Sequence, residues 1–370
     1  MTVHVTYVYF TRLDPDQAHA NQILHTCNAL VGRGHRVTLV AAGDVSAYAD
    51  AHDLPVRFDQ LRVPLPDGPE RLDRVIYYLA GFSAAHGGDV LLTRDISFLR
   101  VVRRIPEALR PCVAYEAHKA YSFVDQLDPA EERARLAATD EIVAISQGVA
   151  ADLTKLGLDV RAIVPDAADL TQIPDASRVE LREELDIDRE AEVVVYAGSL
   201  VTWKNDLKGL LAAFGTVAAD RPRAELLIIG NGDDGDVLSA RVSELDVPAD
   251  RVTFTGYVPQ RRVFRYLGAA DVGVVPLRTE DRVASHYTSP LKLYEYLVSG
   301  LRVVASDVPA LAATAADVDG IELYEPGDVD DLARALGEAV MTPGPEHDRN
   351  RFSYARRAAR LESVLKRALA

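Results

Sequence analysis

The chain has 370 residues, enough for two domains of ordinary size, and its 48% apolar and 26% charged content is that of a globular protein. Its 41 Lys and Arg against 56 Asp and Glu leave a net charge of −15, which argues against bulk nucleic-acid binding, since that needs positive charge to displace counterions. The two cysteines, Cys27 and Cys112, lie far apart within apolar elements and are read as buried reduced thiols of a reducing, cytoplasmic compartment.

Strand-like and helix-like patterns alternate from the start. "VHVTYVYF" reads as a first strand rather than a signal peptide, because no basic region precedes it. A helix follows over "DPDQAHANQILHTCNALVGRG" and then the strand "HRVTLVAA". Next come a helix around 71–85, the strand "DVLLT", a helix around 96–109 and the strand "CVAYEA". A helix around 129–138, the strand "EIVAIS", a helix over 147–157 and the strand "VRAIVP" complete the first half. Such alternation predicts a parallel sheet with helices on both faces. The polar, proline-broken stretch 164–177 is read as a hinge. The second series has strands "AEVVVYAG", "AELLIIG", "RVTFTG", "DVGVVPL", "LRVVAS" and "GIELY". The expected fold class is α/β, with two Rossmann-like βα domains facing a cleft at the carboxyl edges of their sheets. No run approaches the length of a transmembrane helix.

Three stretches of the second half carry candidate chemistry. In "YAGSLVTWKNDLKGL" a strand ends in Gly198 and Ser199, a short loop holds Lys204, and a helix begins. That order aims backbone N–H groups and an ammonium at the sheet edge, as a phosphate requires, although strand–Gly–helix turns also occur without ligands. In "IIGNGDDGD" the aspartates 233, 234 and 236 are adjacent in a turn, with no His or distant Glu to complete a metal shell, so a solvated acidic loop is the reading taken. "SPLKLYEYLVSG" reads as a helix with Ser289 as N-cap, Pro290 at its first position and Gly300 as a left-handed C-cap. Leu291, Tyr294, Leu297 and Val298 form its apolar face. Lys292 stands in the first turn, the wrong end of the helix dipole for a cation, with Glu295 three residues on. An anion at the helix start and a diol at the carboxylate describe a nucleotide; a surface helix with a Lys–Glu pair is the alternative.

With these stretches in place, "SPLKLYEYLVSGLRVVASDVPAL" resembles the donor-binding signature of retaining GT-B glycosyltransferases of family 4 (glycosyl transferases group 1). Also similar, in collinear order, are "LVGRGHRVTLVAA", "IVAISQGVAADLTKLG", "IVPDAAD", "AGSLVTWKNDLKGLLAAF", "LLIIGNGDD", "VTFTGYVP" and "YLGAADVGVVPL". The resemblance implies an acceptor-side domain over 1–165, with the helix 352–370 packing back on it, and a nucleotide-sugar-binding domain over 166–350. It implies transfer of a sugar from a nucleoside-diphosphate sugar to an acceptor hydroxyl, lipid-linked or on a soluble glycan, with retained configuration and no cofactor or metal. Lys204 would bind the diphosphate, as would Ser289, Pro290, Leu291 and Lys292 at the helix start. Glu295 would take the ribose hydroxyls, Tyr257 and Val258 would lie near the base, and Gly198, Asn205 and Gly230 would complete the donor set. His118 in "YEAHKAY" would face the transferred sugar, which makes His118, Lys204 and Glu295 the candidate catalytic residues.

Three departures stand out. Ser199 occupies a position more often arginine. Tyr287 replaces the first of two glutamates, leaving Glu280, Asp281 or backbone to do its work. "FTRLDPDQ" stands where a glycine-rich turn is usual. A GT-B-fold nucleotide-sugar epimerase and a catalytically degenerate binding subunit are the rival readings. Finally, 94–110 carries five arginines interleaved with Phe98, Leu99, Val101, Val102 and Ile105. It reads either as a peripheral membrane face for anionic lipid or as an ordinary helix packed on the sheet.

Overall fold

The computed structural model describes residues 2–13, 18–52, 54–65, 70–242, 244 and 249–370. The chain forms two compact units, Met1–Asp166 with Tyr354–Ala370, and Ala167–Ser353.

The first unit runs β1 (His4–Val8), α1 (Ala18–Gly32), β2 (Arg36–Ala41), α2 (Val45–His52), β3 (Asp59–Arg62), α3 (Glu70–Ala85) and β4 (Val90–Thr93). It continues with α4 (Ile96–Val102), β5 (Cys112–Ala117), α5 (Pro129–Leu136), β6 (Glu141–Ala144), α6 (Gln147–Lys155) and β7 (Ala162–Ile163). Its seven strands lie in the order β3-β2-β1-β4-β5-β6-β7 and all pair in parallel. The order reverses direction at β1 and β4, the switch point where such sheets open their carboxyl edge to ligands.

The second unit holds α7 (Arg178–Glu184), β8 (Glu192–Ala197), α8 (Leu207–Asp220), β9 (Ala224–Ile229), α9 (Gly235–Val242), β10 (Val252–Gly256) and α10 (Gln260–Ala269). After these come β11 (Val272–Val275), α11 (Leu291–Ser299), β12 (Arg302–Ser306), α12 (Pro309–Ala315), β13 (Ile321–Tyr324) and α13 (Val329–Ala339). Its parallel sheet has the order β10-β9-β8-β11-β12-β13. Both faces are covered, as the strand side chains show: Val193, Val195 and Ala197 of β8 enter one apolar cluster, and Val194 and Tyr196 enter the other.

The last helix, α14 (Tyr354–Ala368), belongs to the first unit. Its Ala358, Leu361, Val364 and Leu365 share a core with Ile23, Leu24, Cys27 and Leu30 of α1. Cys27 is buried and Cys112 is half-buried, and both are free thiols.

The helix expected around 96–109 ends at Val102, because Pro106 cannot continue it, and a short 3-10 turn covers Glu107–Leu109. Phe98, Leu99 and Val102 are fully buried. These three side chains are therefore taken up by the core, while Val101 and Ile105 are half-buried. No helix among the described residues is long and apolar enough to cross a membrane.

Candidate active site

At the carboxyl edge of the second sheet, β8 and β9 end in glycines held with positive φ, Gly198 at +150° and Gly230 at +127°. A Cβ on Gly230 would stand 2.1 Å from the Gly198 carbonyl oxygen, so the two loops meet backbone to backbone. Gly198 N donates to Ile229 O at 2.9 Å and Gly230 N to Gly256 O at 3.0 Å.

The loop that carries Lys204 is fastened at both ends. Thr202 donates twice to Asp234 Oδ2, from its N at 2.6 Å and its Oγ1 at 2.8 Å. Arg278 N donates to Lys204 O at 3.0 Å and Asp206 N to Pro276 O at 2.7 Å. Asn205 is buried, with its amide reaching toward the carbonyls of Ser199 and Val201 at 3.5 Å each. Asp234 thus has a structural partner in the acidic turn, while Asp233 and Asp236 are exposed.

Helix α11 starts one residue later than its sequence suggests. Pro290 is the N-cap, in extended conformation, and no side chain caps the helix. Ser289 is buried, and its hydroxyl is bonded to the Tyr294 hydroxyl at 3.2 Å instead of to the helix start. The open backbone N–H groups therefore remain available to a ligand. The buried face comprises Leu293, Tyr294, Tyr296, Leu297 and Val298, broader than expected, and Leu291 is only half-buried. Tyr296 lies over Gly273, where a Cβ would stand 2.4 Å from its ring, and accepts from Ala197 N at 2.8 Å. This pins the helix to the end of β8. Gly300 closes it at φ 80°, as a left-handed C-cap.

Pinning the helix places Lys292 over the Tyr196 ring, Nζ 4.0 Å from the centroid. Burial, followed by the charge of Lys204, brings the Lys292 ammonium down to about 7 against the opposing pull of Glu295. Lys204 is also held below the ordinary lysine value by burial, against the pull of Asp281. The two ammonium groups therefore act on each other across one partly desolvated space, which an anion would relieve. Glu295 accepts from Gln260 Nε2 at 3.1 Å, and burial raises its carboxyl above the usual range.

The remaining donor-side residues are placed as follows. Ser199 is exposed, and its carbonyl accepts from the Tyr196 hydroxyl at 2.7 Å. Tyr257 is 51% exposed after β10, and Val258 packs against the core. Tyr287 is wholly buried, its hydroxyl accepting from Arg282 Nε at 3.3 Å, so the position of the absent glutamate is part of the core. Glu280 is paired with Arg278 on the surface, whereas Asp281 acts on Lys204.

In the first unit His118 follows β5 and both of its ring nitrogens are engaged. Nε2 lies 2.6 Å from Glu116 Oε1, and Arg94 Nη2 lies 2.8 Å from Nδ1. Glu116 is fully buried and also receives Gln22 Nε2 at 3.2 Å and Arg357 Nη2 at 2.8 Å. Burial and Arg94 push the His118 imidazole down to about 4, against Glu116, while Arg357 leads the groups that keep Glu116 ionised against burial. Sequence reasoning missed Gln22, Arg94, Glu116 and Arg357. A carboxylate inside the apolar strand "CVAYEA" was the available signal, because a buried charge needs a partner. In the loop 10–17, Arg12 pairs with Asp73 at 3.1 Å, and 14–17 lie outside the described residues.

Comparisons with known proteins bear on the family and the fold. Residues 19–171 match the model of "Glycosyltransferase Family 4" and residues 191–341 that of "Glycosyl transferases group 1". The chain is similar to a phosphatidyl-myo-inositol mannosyltransferase of Mycolicibacterium smegmatis, 28% identical over 196 residues, which are 53% of this chain and 46% of that protein. It thus spans about half the length of that relative in the match. In fold it is similar to sucrose-phosphate synthase from Thermosynechococcus elongatus, with a TM-score of 0.70, 18% identity, and 99% of this chain and 96% of that one covered. It is similar also to HepE of Anabaena, crystallised with UDP and glucose, with a TM-score of 0.65, 17% identity, and 99% and 95% covered. With matches to both halves, in order, and a doubly wound parallel sheet in each, this chain belongs to the GT-B glycosyltransferases of group 1, family 4.

Proposed function

We propose that the protein transfers a sugar from a nucleoside-diphosphate sugar to an acceptor hydroxyl, with retained anomeric configuration, in the synthesis of a glycolipid, polysaccharide or other glycan. The observation that carries this reading is the placing of Lys292, over Tyr196 and against Gly198 at the head of the Lys204 loop, beside the uncapped start of α11. Two desolvated cations and free N–H groups form a preorganised site for a diphosphate. The lipid acceptor named for the mycobacterial relative and the UDP bound by HepE are in keeping with it.

In the proposed reaction the bond between the anomeric carbon and the outer phosphate oxygen breaks, and negative charge grows on the departing diphosphate. Lys204, Lys292 and the helix start stabilise that charge, which leaves no task that requires a metal ion. The acceptor oxygen bonds to the same face of the anomeric carbon, and its proton passes to the departing phosphate oxygen. Glu295 takes the ribose hydroxyls, Tyr257 and Val258 flank the base, and His118 faces the transferred sugar. The reaction is assigned to the cytoplasm.

A thermal-shift screen with UDP-, GDP-, ADP- and dTDP-sugars tests donor binding; a ligand at a hundred times its Kd adds about 2.7 kcal/mol. Product analysis with donor alone then separates transfer from epimerisation. No shift with any of the four donors would defeat the proposal.

A further inference from the structure

Glu116 is a fully buried carboxylate next to the proposed sugar-facing histidine, and the cation that neutralises it comes from α14, 241 positions away. Arg357 is itself buried, and each of its three guanidinium nitrogens is engaged. Nη2 donates to Glu116 Oε2 at 2.8 Å, Nη1 to the carbonyls of Val164 and Pro165 at 2.8 Å each, and Nε to Thr26 Oγ1 at 3.3 Å. Such a fork cannot swing away without leaving several buried groups unmet.

The other carboxylate oxygen sets the state of His118. An ionised carboxylate only accepts, so the Nε2 at 2.6 Å from Glu116 must carry the hydrogen. A guanidinium only donates, so the Nδ1 at 2.8 Å from Arg94 must accept. The two contacts permit one tautomer. Arg94 has other partners, Gln22 Oε1 at 2.9 Å and the Tyr9 ring at 5.2 Å, so its bond to Nδ1 is the one that a substrate hydroxyl can replace.

We infer that Arg357 is a positioning residue: through Glu116 it fixes His118 as the Nε2–H tautomer and leaves Nδ1 to accept a hydrogen bond from a hydroxyl of the transferred sugar. The sugar-facing part rests on the function proposed above; the tautomer does not. Charged and titratable groups acting on His118 or Glu116 are Tyr7 of β1, Cys27 of α1, Arg94 after β4, Asp166 after β7 and Arg357. Burial, with Glu116, pushes the Asp166 carboxyl up to about 6, so Arg357 remains the principal counter-charge.

The test is NMR of the full chain labelled with 15N-histidine, with H118Q for assignment. Wild-type His118 should show the Nε2–H tautomer and stay neutral down to about pH 4. In R357M the Glu116–His118 pair, no longer balanced, should take up its proton at a pH higher by about one unit or more, read at the imidazole. The acid limb of the turnover profile should move up with it, since a protonated Nδ1 accepts nothing. R357K should bring both back toward wild type. An Nδ1–H tautomer in the wild-type protein, or a folded R357M whose His118 titration does not move, overturns the inference. If R357M does not fold, the wild-type spectrum decides. A shifted His118 in a protein that turns over no nucleotide sugar would end the transferase reading and keep the positioning role.

Discussion

Lys292 occupies the space that Gly198 leaves by having no side chain: a Cβ there would stand 2.8 Å from the Lys292 Nζ. Through this pair the loop after β8 and the first turn of α11 share one small volume above the Tyr196 ring.

Lys204→Ala is expected to lower turnover about a hundredfold or more, the cost of one preorganised charge-stabilising group, with the circular-dichroism spectrum unchanged. Steady-state kinetics on the donor identified by thermal shift provides the check. Near-normal turnover would count against a diphosphate at these lysines.

The depressed Lys292 gives a signed pH dependence. Its folded value of about 7 lies below the ordinary 10.5, so the empty protein pays for charging it. That destabilisation is complete below pH 7, shrinks between 7 and 10.5, and is gone above. Lys292→Met should therefore have a higher melting temperature than wild type at neutral pH, with the gap closing as pH rises. A bound diphosphate favours the charged form, so wild-type donor affinity should fall as pH climbs above 7, with proton uptake on binding measurable by calorimetry in buffers of different ionisation heat. An affinity flat across that range would refute the coupling.

Trp203 is the protein's single tryptophan, adjoins Lys204 and is 60% exposed. Titration with the donor should change its emission, and W203F should abolish the signal while binding survives. Unaltered emission at saturating donor would place the ligand elsewhere.

Tyr287→Phe removes only the hydroxyl bonded to Arg282 and should leave turnover within about twofold, at a cost of about 1 kcal/mol in stability. Tyr287→Ala opens a cavity in the core and should cost about 3–5 kcal/mol by urea denaturation. A large loss of turnover in a stable Y287F would mean that the tyrosine acts on substrate.

Gly230→Ala forces a methyl group against the Gly198 carbonyl at a positive φ and should cost about 2 kcal/mol or more. Donor affinity should drop as well, because the displaced partner is the glycine that makes room for Lys292.

Local patterns were readable where the chain acts locally. The β-α alternation, the Gly300 cap and the two-sided burial of the second sheet follow from periodicity and turn chemistry. The start of α11 did not, because Tyr294 draws the Ser289 hydroxyl away from the helix end. The arginine-rich stretch 94–110 is ambiguous in sequence because apolar residues on a helix look alike whether they meet lipid or a sheet; the structure buries Phe98, Leu99 and Val102 in the core. The surroundings of His118 were least accessible. Arg94 is 24 positions from it, and Arg357 is 241 from Glu116, so no window of sequence contains the network.

The placement of α14 also has a bearing on biosynthesis. The first unit's core includes Ala358, Leu361, Val364 and Leu365, and its buried Glu116 is neutralised by Arg357. Until residues 354–368 have been made, the first unit therefore lacks part of its core and the counter-charge of its Glu116, although most of it is translated first. The segment translated first thus depends for its completion on the segment translated last.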